Sequence, residues 1–275
     1  MIKYTVILII VAAVIYYHLI ENTDVGTQGK TIPETKNLPS LYNIDLRDTV
    51  YTLKPYYIVA NLAKQKGYLY SRTEPVYEFG ISSGNKKFLD AVETNEGLYV
   101  IQSKLLKWHS EQFDSTLMLN WMGFNHGIGF HALAGNSYYK YLGVKKSSHG
   151  CVRISREDAK YLYARIEIGT PVLLHSDNNA VFLGFGDSSN INMYINYSYS
   201  NLYKILPERY NKLYEGRYFI EPLKKVLIGK NNVFHNGLPI GDSKRIPEKQ
   251  LVLPGSLDTY YAVQDVLRVK SYRKI

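Results

Sequence analysis

The chain has 275 residues, of which 45% are hydrophobic and 21% charged, and this apolar content excludes a wholly disordered protein. Its 20 glycines and 10 prolines are too few for a collagen-like or low-complexity chain. The formal net charge of +9 favours an anionic partner, such as nucleic acid, anionic lipid or a cell-wall polymer. The sequence shows neither zinc-finger spacing nor the aromatic pattern of an RNA-binding module, and its basic residues are scattered, so we expect no nucleic-acid partner.

The N-terminus contains an apolar run, residues 4–20, whose sequence is YTVILIIVAAVIYYHLI. Its length lies at the short limit for a membrane-spanning helix, and no small-x-small cleavage site follows it. We therefore predict an uncleaved signal anchor over residues 1–21, with a cleaved signal peptide as the alternative. Lys3 favours an N-terminus inside and a body outside. The predicted location is the cell envelope, on the periplasmic face of the inner membrane, and the outer face of a Gram-positive cell stays open.

A polar stretch, residues 22–50, is predicted to be a linker. The four segments that follow are rich in β-branched and aromatic residues and are predicted to be strands: 56–61, 67–71, 76–81 and 98–103. Their close spacing favours an antiparallel sheet. The pattern over residues 108–120 is ambiguous.

The second half of the predicted domain contains a helix between two strands. Residues 127–133 and 170–175 are predicted strands, and a helix is expected over 156–167. Ser155 is its expected N-cap with Asp158 as partner, and Gly169 is its expected stop. The fold class is thus mostly β with α over residues 51–176. Residues 177–275 are expected to be a C-terminal extension of unknown role, with a hairpin suggested by Asn236-Gly237.

The single cysteine, Cys151, cannot form an internal disulfide, so it is a packing residue, a metal ligand or a working thiol. His149, Cys151 and Arg153 are spaced by two and share a face if the segment is extended. A cationic neighbour favours the thiolate, and Gly150 allows successive backbone N–H groups to point at one anion. His131, on a separate predicted strand, is a candidate general base.

Zinc is the alternative for this cluster, because His126, His131, His149 and Cys151 supply four possible ligands. However, His126 and His131 are five residues apart, which places them on opposite faces of a strand. We therefore predict no metal site.

Taken together, His131 and the segment Ser148-His149-Gly150-Cys151-Val152-Arg153 resemble the signature of the YkuD-type L,D-transpeptidases. The resemblance extends over about residues 55–176, including Ile81-Ser82-Ser83-Gly84 and Gly169-Thr170-Pro171-Val172. Two positions depart from the family pattern. Ala132 stands where Gly is common, and Asn95 stands where Pro is usual.

The resemblance implies a β-sandwich with a helix after the Cys loop and a reaction that needs no cofactor. Cys151 would attack the stem tetrapeptide of peptidoglycan at the bond to its terminal D-alanine, with His131 as the base oriented by the carbonyl of Ala132. The backbone amides of His149, Gly150 and Cys151 would form the oxyanion hole. The His149 side chain would assist Cys151 or hold the loop. Ser148 and Arg153 would shape the loop, and Arg153 could bind a substrate carboxylate.

Three functions are compatible with the sequence. Attack of an amine on the thioester gives a 3→3 cross-link, whereas attack of water gives a tripeptide, as in an L,D-carboxypeptidase that trims the wall for cell shape. A non-catalytic wall-binding protein is the third. The sequence does not determine the oligomeric state.

Overall fold

This computed structural model of the protein describes residues 48–110, 115–176, 181–214 and 223–240. The predicted anchor 1–21 and all but the end of the predicted linker 22–50 lie outside these residues. Among the residues described, no helix is both long enough and apolar enough to cross a membrane.

The described part of the chain is mostly β with few helices, which confirms the predicted class. Its strands are β1 (Asp48–Thr52), β2 (Tyr56–Asn61), β3 (Lys66–Ser71), β4 (Tyr77–Gly80), β5 (Gly97–Val100), β6 (Ser103–His109), β7 (Leu117–Asn125), β8 (Ile128–Leu133), β9 (Val152–Arg153), β10 (Pro171–His175), β11 (Val181–Phe185) and β12 (Val226–Leu227). Its α-helices are α1 (Arg156–Arg165) and α2 (Tyr199–Tyr214), and two short 3₁₀ helices are Tyr139–Tyr141 and Ser188–Met193.

A five-stranded central sheet has the order β4-β3-β2-β10-β5. Strands β2, β3 and β4 pair antiparallel, as their close spacing predicts. Strand β10 lies between β2 and β5 and runs parallel to β2, which is a long-range pairing that local spacing does not indicate. All five residues of β10 are buried, so this strand has packed layers on both faces.

A second sheet, of order β6-β7-β8-β9, packs on one face of the central sheet and forms a β-sandwich. The core between them includes Ile58 and Val172 from the central sheet and Met122 and Phe130 from the second sheet. Side chains alternate along a strand, so Phe130 and Ala132 of β8 enter this core while His131 points to the other face. Because of this alternation, His131 lies on the face of β8 that is turned away from the core between the two sheets.

Helix α1 follows the Cys151 loop and covers one end of this core. Ser155 caps it as predicted: the Ser155 hydroxyl accepts the Asp158 amide at 3.0 Å and donates to the Asp158 carboxylate at 2.6 Å. Ala159 and Leu162 are its buried residues. The helix therefore fixes the direction in which the chain leaves the Cys151 loop.

The predicted C-terminal extension builds a third layer together with β1. Strand β1 pairs in parallel with both β11 and β12, and its first residues, 48–50, lie within the range assigned to the linker. A second apolar core joins Leu183, Leu202 and Val226 of this layer to Leu98 and Leu173 of the central sheet. The central sheet is thus buried on both faces. The boundaries 51–176 and 177–275 stay predictions.

The Asn236-Gly237 turn forms, with Gly237 at φ +68° and its amide donating to the Phe234 carbonyl at 2.9 Å. The residue after the turn does not enter a hairpin within the described residues. Leu238 instead pairs with Leu98 of β5.

Candidate active site

Cys151 immediately precedes β9, which pairs in parallel with β8 so that His131 lies opposite Arg153. The Cys151 Sγ lies 3.6 Å from the carbonyl oxygen of Gly127, to which the thiol can donate. The amide of Gly129 also forms a hydrogen bond with the Cys151 sulfur. Gly129 and His131 share one face of β8 because they are two residues apart. The fold therefore brings the sulfur next to the face of β8 that carries His131.

His131 is 3% exposed, and its ring lies 5.8 Å from that of Trp121. Burial lowers the pKa of His131 to about 4, against a smaller opposing effect of its hydrogen bond to Ala132. The imidazole is therefore neutral at neutral pH. Its Nδ1 lies 3.1 Å from the carbonyl oxygen of Ala132, which accepts only, so Nδ1 carries the proton. The Nε2 atom is then the basic atom of the ring.

Burial raises the pKa of the Cys151 thiol, while the Gly129 amide and the Arg153 guanidinium act in the opposite direction. At neutral pH the Cys151 thiol and the His131 imidazole are thus both neutral. Arg153 is itself held by a hydrogen bond of 2.9 Å from Nη1 to the Ser147 carbonyl. Its charge stabilises a thiolate when one forms and disfavours a charged His131.

The loop before Cys151 is tied to the segment that follows β4. Backbone hydrogen bonds run in both directions between Arg153 and Ser82, at 3.0 and 2.8 Å. The amide of Ser148 donates to Ser83, and its carbonyl accepts from Asn85. These bonds fix both ends of the Cys151 loop on one neighbouring segment.

Ser148 closes the loop from within. Its hydroxyl donates to the carbonyl of Cys151 and accepts the amide of Gly150 at 3.1 Å. The expected role of Ser148 in shaping the loop fits these bonds. The amide of Gly150, however, is engaged within the loop, so the assignment of an oxyanion role to Gly150 stays a prediction.

Gly150 adopts φ +145°, a conformation that side chains rarely allow, and a Cβ there would lie 2.7 Å from Val92 Cγ2. Gly84 lies against it, since a Cβ on Gly84 would come within 2.9 Å of the Gly150 Cα. Thr94 joins the two glycines: its hydroxyl accepts the Gly84 amide at 2.8 Å and donates to the Gly150 carbonyl at 2.6 Å. Two glycines and one threonine thus set the shape of the Cys151 loop.

The His149 ring packs against Phe88, with 5.5 Å between ring centroids, in the segment that joins β4 and β5. The His149 carbonyl accepts the amide of Val92 at 3.1 Å from the same segment. These contacts fit the expectation that His149 holds the loop. Assistance to Cys151 stays a prediction.

Among the described residues, no group of three or more His, Cys, Asp or Glu side chains is placed to hold a metal ion. His126 lies in the turn between β7 and β8, and its ring faces His235 at 5.6 Å between centroids. The turn thus separates His126 from the strand that carries His131.

Several residues that hold the site carry no clear signal in the sequence. Gln65, 2% exposed, bonds through both ends of its amide to Ser83, at 2.8 and 2.9 Å. Gln102 and His235 are equally inconspicuous along the chain. A buried amide or hydroxyl has no characteristic spacing, so only the fold reveals these residues.

Comparison with known protein families supports the resemblance. Residues 55–174 match the family model YkuD, described as the L,D-transpeptidase catalytic domain. The resemblance expected from the sequence is confirmed for this segment. The matched segment includes His131, the whole Cys151 loop and Thr94, while the third layer beyond residue 176 lies outside it.

One curated relative, from Bacillus subtilis (strain 168), bears the name "Putative L,D-transpeptidase YciB". It is 28% identical over 131 residues, which cover 44% of this chain and 66% of the relative. Solved L,D-transpeptidases from Mycobacterium smegmatis and Stackebrandtia nassauensis are similar over 44% and 46% of this chain, with TM-scores of 0.39 for both. They are 17% and 20% identical, and each is covered to 59%. The chain thus spans under two thirds of these proteins.

Proposed function

We propose that the chain is a peptidoglycan L,D-transpeptidase that forms an acyl thioester on Cys151. The observation that carries the proposal is the position of the sulfur next to the face of β8 that bears the neutral, buried His131. The match of residues 55–174 to the YkuD family model supports the same reaction class. The substrate would be a stem tetrapeptide of peptidoglycan.

The first half-reaction transfers the acyl group to the enzyme. The Cys151 sulfur attacks the carbonyl carbon that precedes the terminal D-alanine, while the thiol proton passes to Nε2 of His131. The C–N bond then breaks, the electron pair stays on nitrogen, and His131 returns the proton to the leaving amine. The products are a thioester and free D-alanine, with a neutral imidazole restored.

The second half-reaction releases the acyl group. An amine from a second stem attacks the thioester, giving up one proton to His131, and the C–S bond breaks. His131 then protonates the departing sulfur, which regenerates the thiol and leaves a 3→3 cross-link. Water in place of the amine would give a tripeptide, which is the carboxypeptidase outcome.

The tetrahedral intermediate carries an oxyanion that needs donors close to the nucleophile. Because the Gly150 amide donates to Ser148 Oγ, we assign the principal oxyanion role to the amide of Cys151. Arg153 adds a positive charge near the sulfur. The half-buried guanidinium of Arg153 could also bind a carboxylate of the stem peptide.

The experiment is incubation of the purified protein with disaccharide-tetrapeptide and analysis of the products by mass spectrometry. Dimers formed with loss of one D-alanine, and absent with Cys151→Ala, would establish the transpeptidase. Tripeptide without dimers would establish the carboxypeptidase. Binding to the wall with no Cys151-dependent product would overturn the enzymatic proposal in favour of a binding protein.

We also propose that the protein acts in the cell envelope, where its substrate is found. The apolar run at residues 4–20 and Lys3 support a membrane anchor with the catalytic body outside. Protease treatment of intact spheroplasts tests this orientation. Protection of the catalytic part of the chain would contradict it.

A further inference from the structure

A loop of the third layer, residues 229–240, reaches the turn between β7 and β8 that faces the nucleophile. It is anchored at Leu238, which exchanges two backbone hydrogen bonds with Leu98 of β5, at 2.7 and 2.9 Å. Leu238 is 1% exposed and belongs to the second core. The loop is thus fixed to the central sheet rather than loosely appended.

Gln102, between β5 and β6, connects this loop with the end of β7. Its Nε2 donates to the carbonyl of Phe124 at 2.8 Å and to that of Phe234 at 3.3 Å. Its Oε1 lies 2.7 Å from Nδ1 of His235. The backbone amide of Gln102 also donates to Gly123 at 2.7 Å. One amide side chain therefore binds β7 and the loop at the same time.

These bonds determine the tautomer of His235. The carbonyl oxygens of Phe124 and Phe234 can only accept, so the side-chain atom of Gln102 that faces them is the nitrogen Nε2. The atom that faces His235 is therefore the oxygen Oε1. Nδ1 of His235 must then carry the proton and donate. The donor function at this position can be supplied by an Asn side chain, whose Nδ2 lies at about the same distance from the backbone as a histidine Nδ1.

The ring of His235 also packs on His126, with 5.6 Å between centroids and 32° between ring planes. His126 has φ +47°, so the turn is held in a conformation that non-glycine residues rarely adopt. The next residue, Gly127, presents its carbonyl to the Cys151 sulfur at 3.6 Å. A continuous path of contacts therefore runs from Gln102 through His235 and His126 to the nucleophile.

We propose that His235 is a positioning residue for Cys151: through Gln102 and His126 it holds the Gly127 carbonyl against the thiol. The third layer is then a working part of the active site, although it lies outside the matched YkuD segment. This proposal rests on the nucleophilic role of Cys151 in the proposed function.

Loss of the His235 contacts would free the turn between β7 and β8, and this should change the reactivity of the thiol and the turnover in opposite directions. The thiol would lose an acceptor for its proton and gain access to water, and both changes favour the thiolate over the buried thiol. The other groups that act on the sulfur, the Gly129 amide and the Arg153 guanidinium, would remain. At the same time the sulfur would lose its fixed direction toward the substrate. Alkylation by a small reagent should become faster, while turnover becomes slower.

The test is the pH profile of iodoacetamide alkylation of the full-length protein, read by intact mass. Cys151 is the single cysteine of the chain, so the label reports on it alone. For His235→Ala we expect the apparent thiol pKa to fall by about half a unit, which gives about a threefold faster reaction at pH 7. D-alanine release should fall about tenfold in kcat, with KM little changed.

Two matched variants separate positioning from general stability. His235→Asn keeps the donor to Gln102 and should restore the wild-type profile to a large extent. Phe234→Ala removes an adjacent ring, 52% exposed, but keeps the carbonyl that Gln102 contacts, and it should behave as wild type. Gln102→Met removes the same hydrogen bonds from the other side and should reproduce His235→Ala.

Thermal unfolding of each variant establishes that it is folded. The proposal is overturned if folded His235→Ala and Gln102→Met keep the wild-type alkylation profile. It is also overturned if Phe234→Ala shifts the profile as much as His235→Ala does. Alkylation needs no peptidoglycan, so failure of the proposed function, seen as absence of turnover in every variant, is distinguished from failure of this inference.

Discussion

The Thr94 hydroxyl donates a hydrogen bond of 2.6 Å to the Gly150 carbonyl, which lies 56 residues further along the chain. The same oxygen accepts the Gly84 amide at 2.8 Å, so one side chain joins two backbone segments at the nucleophile loop. Both bonds are buried, and a buried polar group without a partner costs free energy. The loop that presents Cys151 is therefore stabilised by a residue outside it.

Thr94→Val keeps the shape of the side chain and removes the hydroxyl. The Gly84 amide and the Gly150 carbonyl would both lose this partner, so we expect the free energy of unfolding to fall by about 1–3 kcal/mol. The nucleophile loop should also lose its geometry, so D-alanine release should fall about tenfold or more. Chemical denaturation and a steady-state assay measure the two effects.

Thr94→Ser is the control, because it retains the hydroxyl and removes only a methyl group. It should recover most of the activity lost in Thr94→Val. If the two variants were equally impaired, packing of the methyl group rather than the hydrogen bonds would hold the loop.

Gly150→Ala should inactivate the protein. At φ +145° a Cβ is strained, and it would lie 2.7 Å from Val92 Cγ2. We expect the loop to shift and alkylation of Cys151 to change together with turnover. Gly135→Ala is the matched control, since a Cβ at that position would meet no atom within 4 Å. A fully active Gly150→Ala would show that the loop conformation is not required.

The local elements of this fold follow directly from the sequence. Tyr56–Asn61 and Lys66–Ser71 carry the β-branched and aromatic residues of strands, and Ser155 caps α1 as its side chain predicts. The Cys151 loop is a candidate site from the sequence alone, because Ser148-His149-Gly150-Cys151 contains the single cysteine next to the residue types that activate a thiol.

The long-range arrangement could not be predicted in the same way. Strand β1 pairs with β11 across more than a hundred residues, and nothing near Asp48 in the sequence indicates that partner. His235 contacts Gln102, 133 residues earlier. Such contacts depend on how whole layers pack, whereas periodicity and spacing report only on neighbours along the chain.

The stability of the protein should depend on pH through His131. Burial lowers its pKa to about 4 from 6.5, so between these values the unfolded chain binds a proton that the native chain does not. Stability is therefore complete above pH 6.5 and decreases as the pH falls toward 4. At pH 5 the loss is about 2 kcal/mol.

His131→Gln removes this titration and keeps a polar side chain. The difference in unfolding free energy between wild type and His131→Gln, measured in urea, should be constant above about pH 7 and change by about 2 kcal/mol on acidification to about pH 5. The sign is fixed: wild type must lose more stability than the variant as the pH falls. Parallel curves would show that the imidazole titrates normally in the native state.

In the proposed mechanism, the pKa of His131 also determines where activity declines at acid pH. His131, the proposed base, can accept a proton only while its Nε2 is unprotonated, so kcat/KM should decline near pH 4 rather than near 6.5. Initial rates of D-alanine release across this range measure it. A midpoint near the ordinary histidine pKa would exclude a buried, neutral His131 as the base.

The third layer should unfold together with the two sheets of the β-sandwich. Leu202 on α2 is fully buried in the second core, whereas its neighbour Tyr203 is 47% exposed. Leu202→Ala should lower the free energy of unfolding by about 2–5 kcal/mol, because it leaves a cavity against the central sheet. Tyr203→Ala on the same helix should change it by about 0.5 kcal/mol or less.

The measurement is urea unfolding followed by two probes, tryptophan fluorescence and alkylation of Cys151. Both tryptophans, Trp108 and Trp121, lie in the second sheet, so tryptophan fluorescence reports on that sheet and not on α2. In Leu202→Ala both probes should shift to the same lower midpoint, since the layers share the central sheet. If the tryptophan midpoint stayed at the wild-type value, the third layer would be a separate folding unit, and its loop at residues 229–240 could not hold the active site.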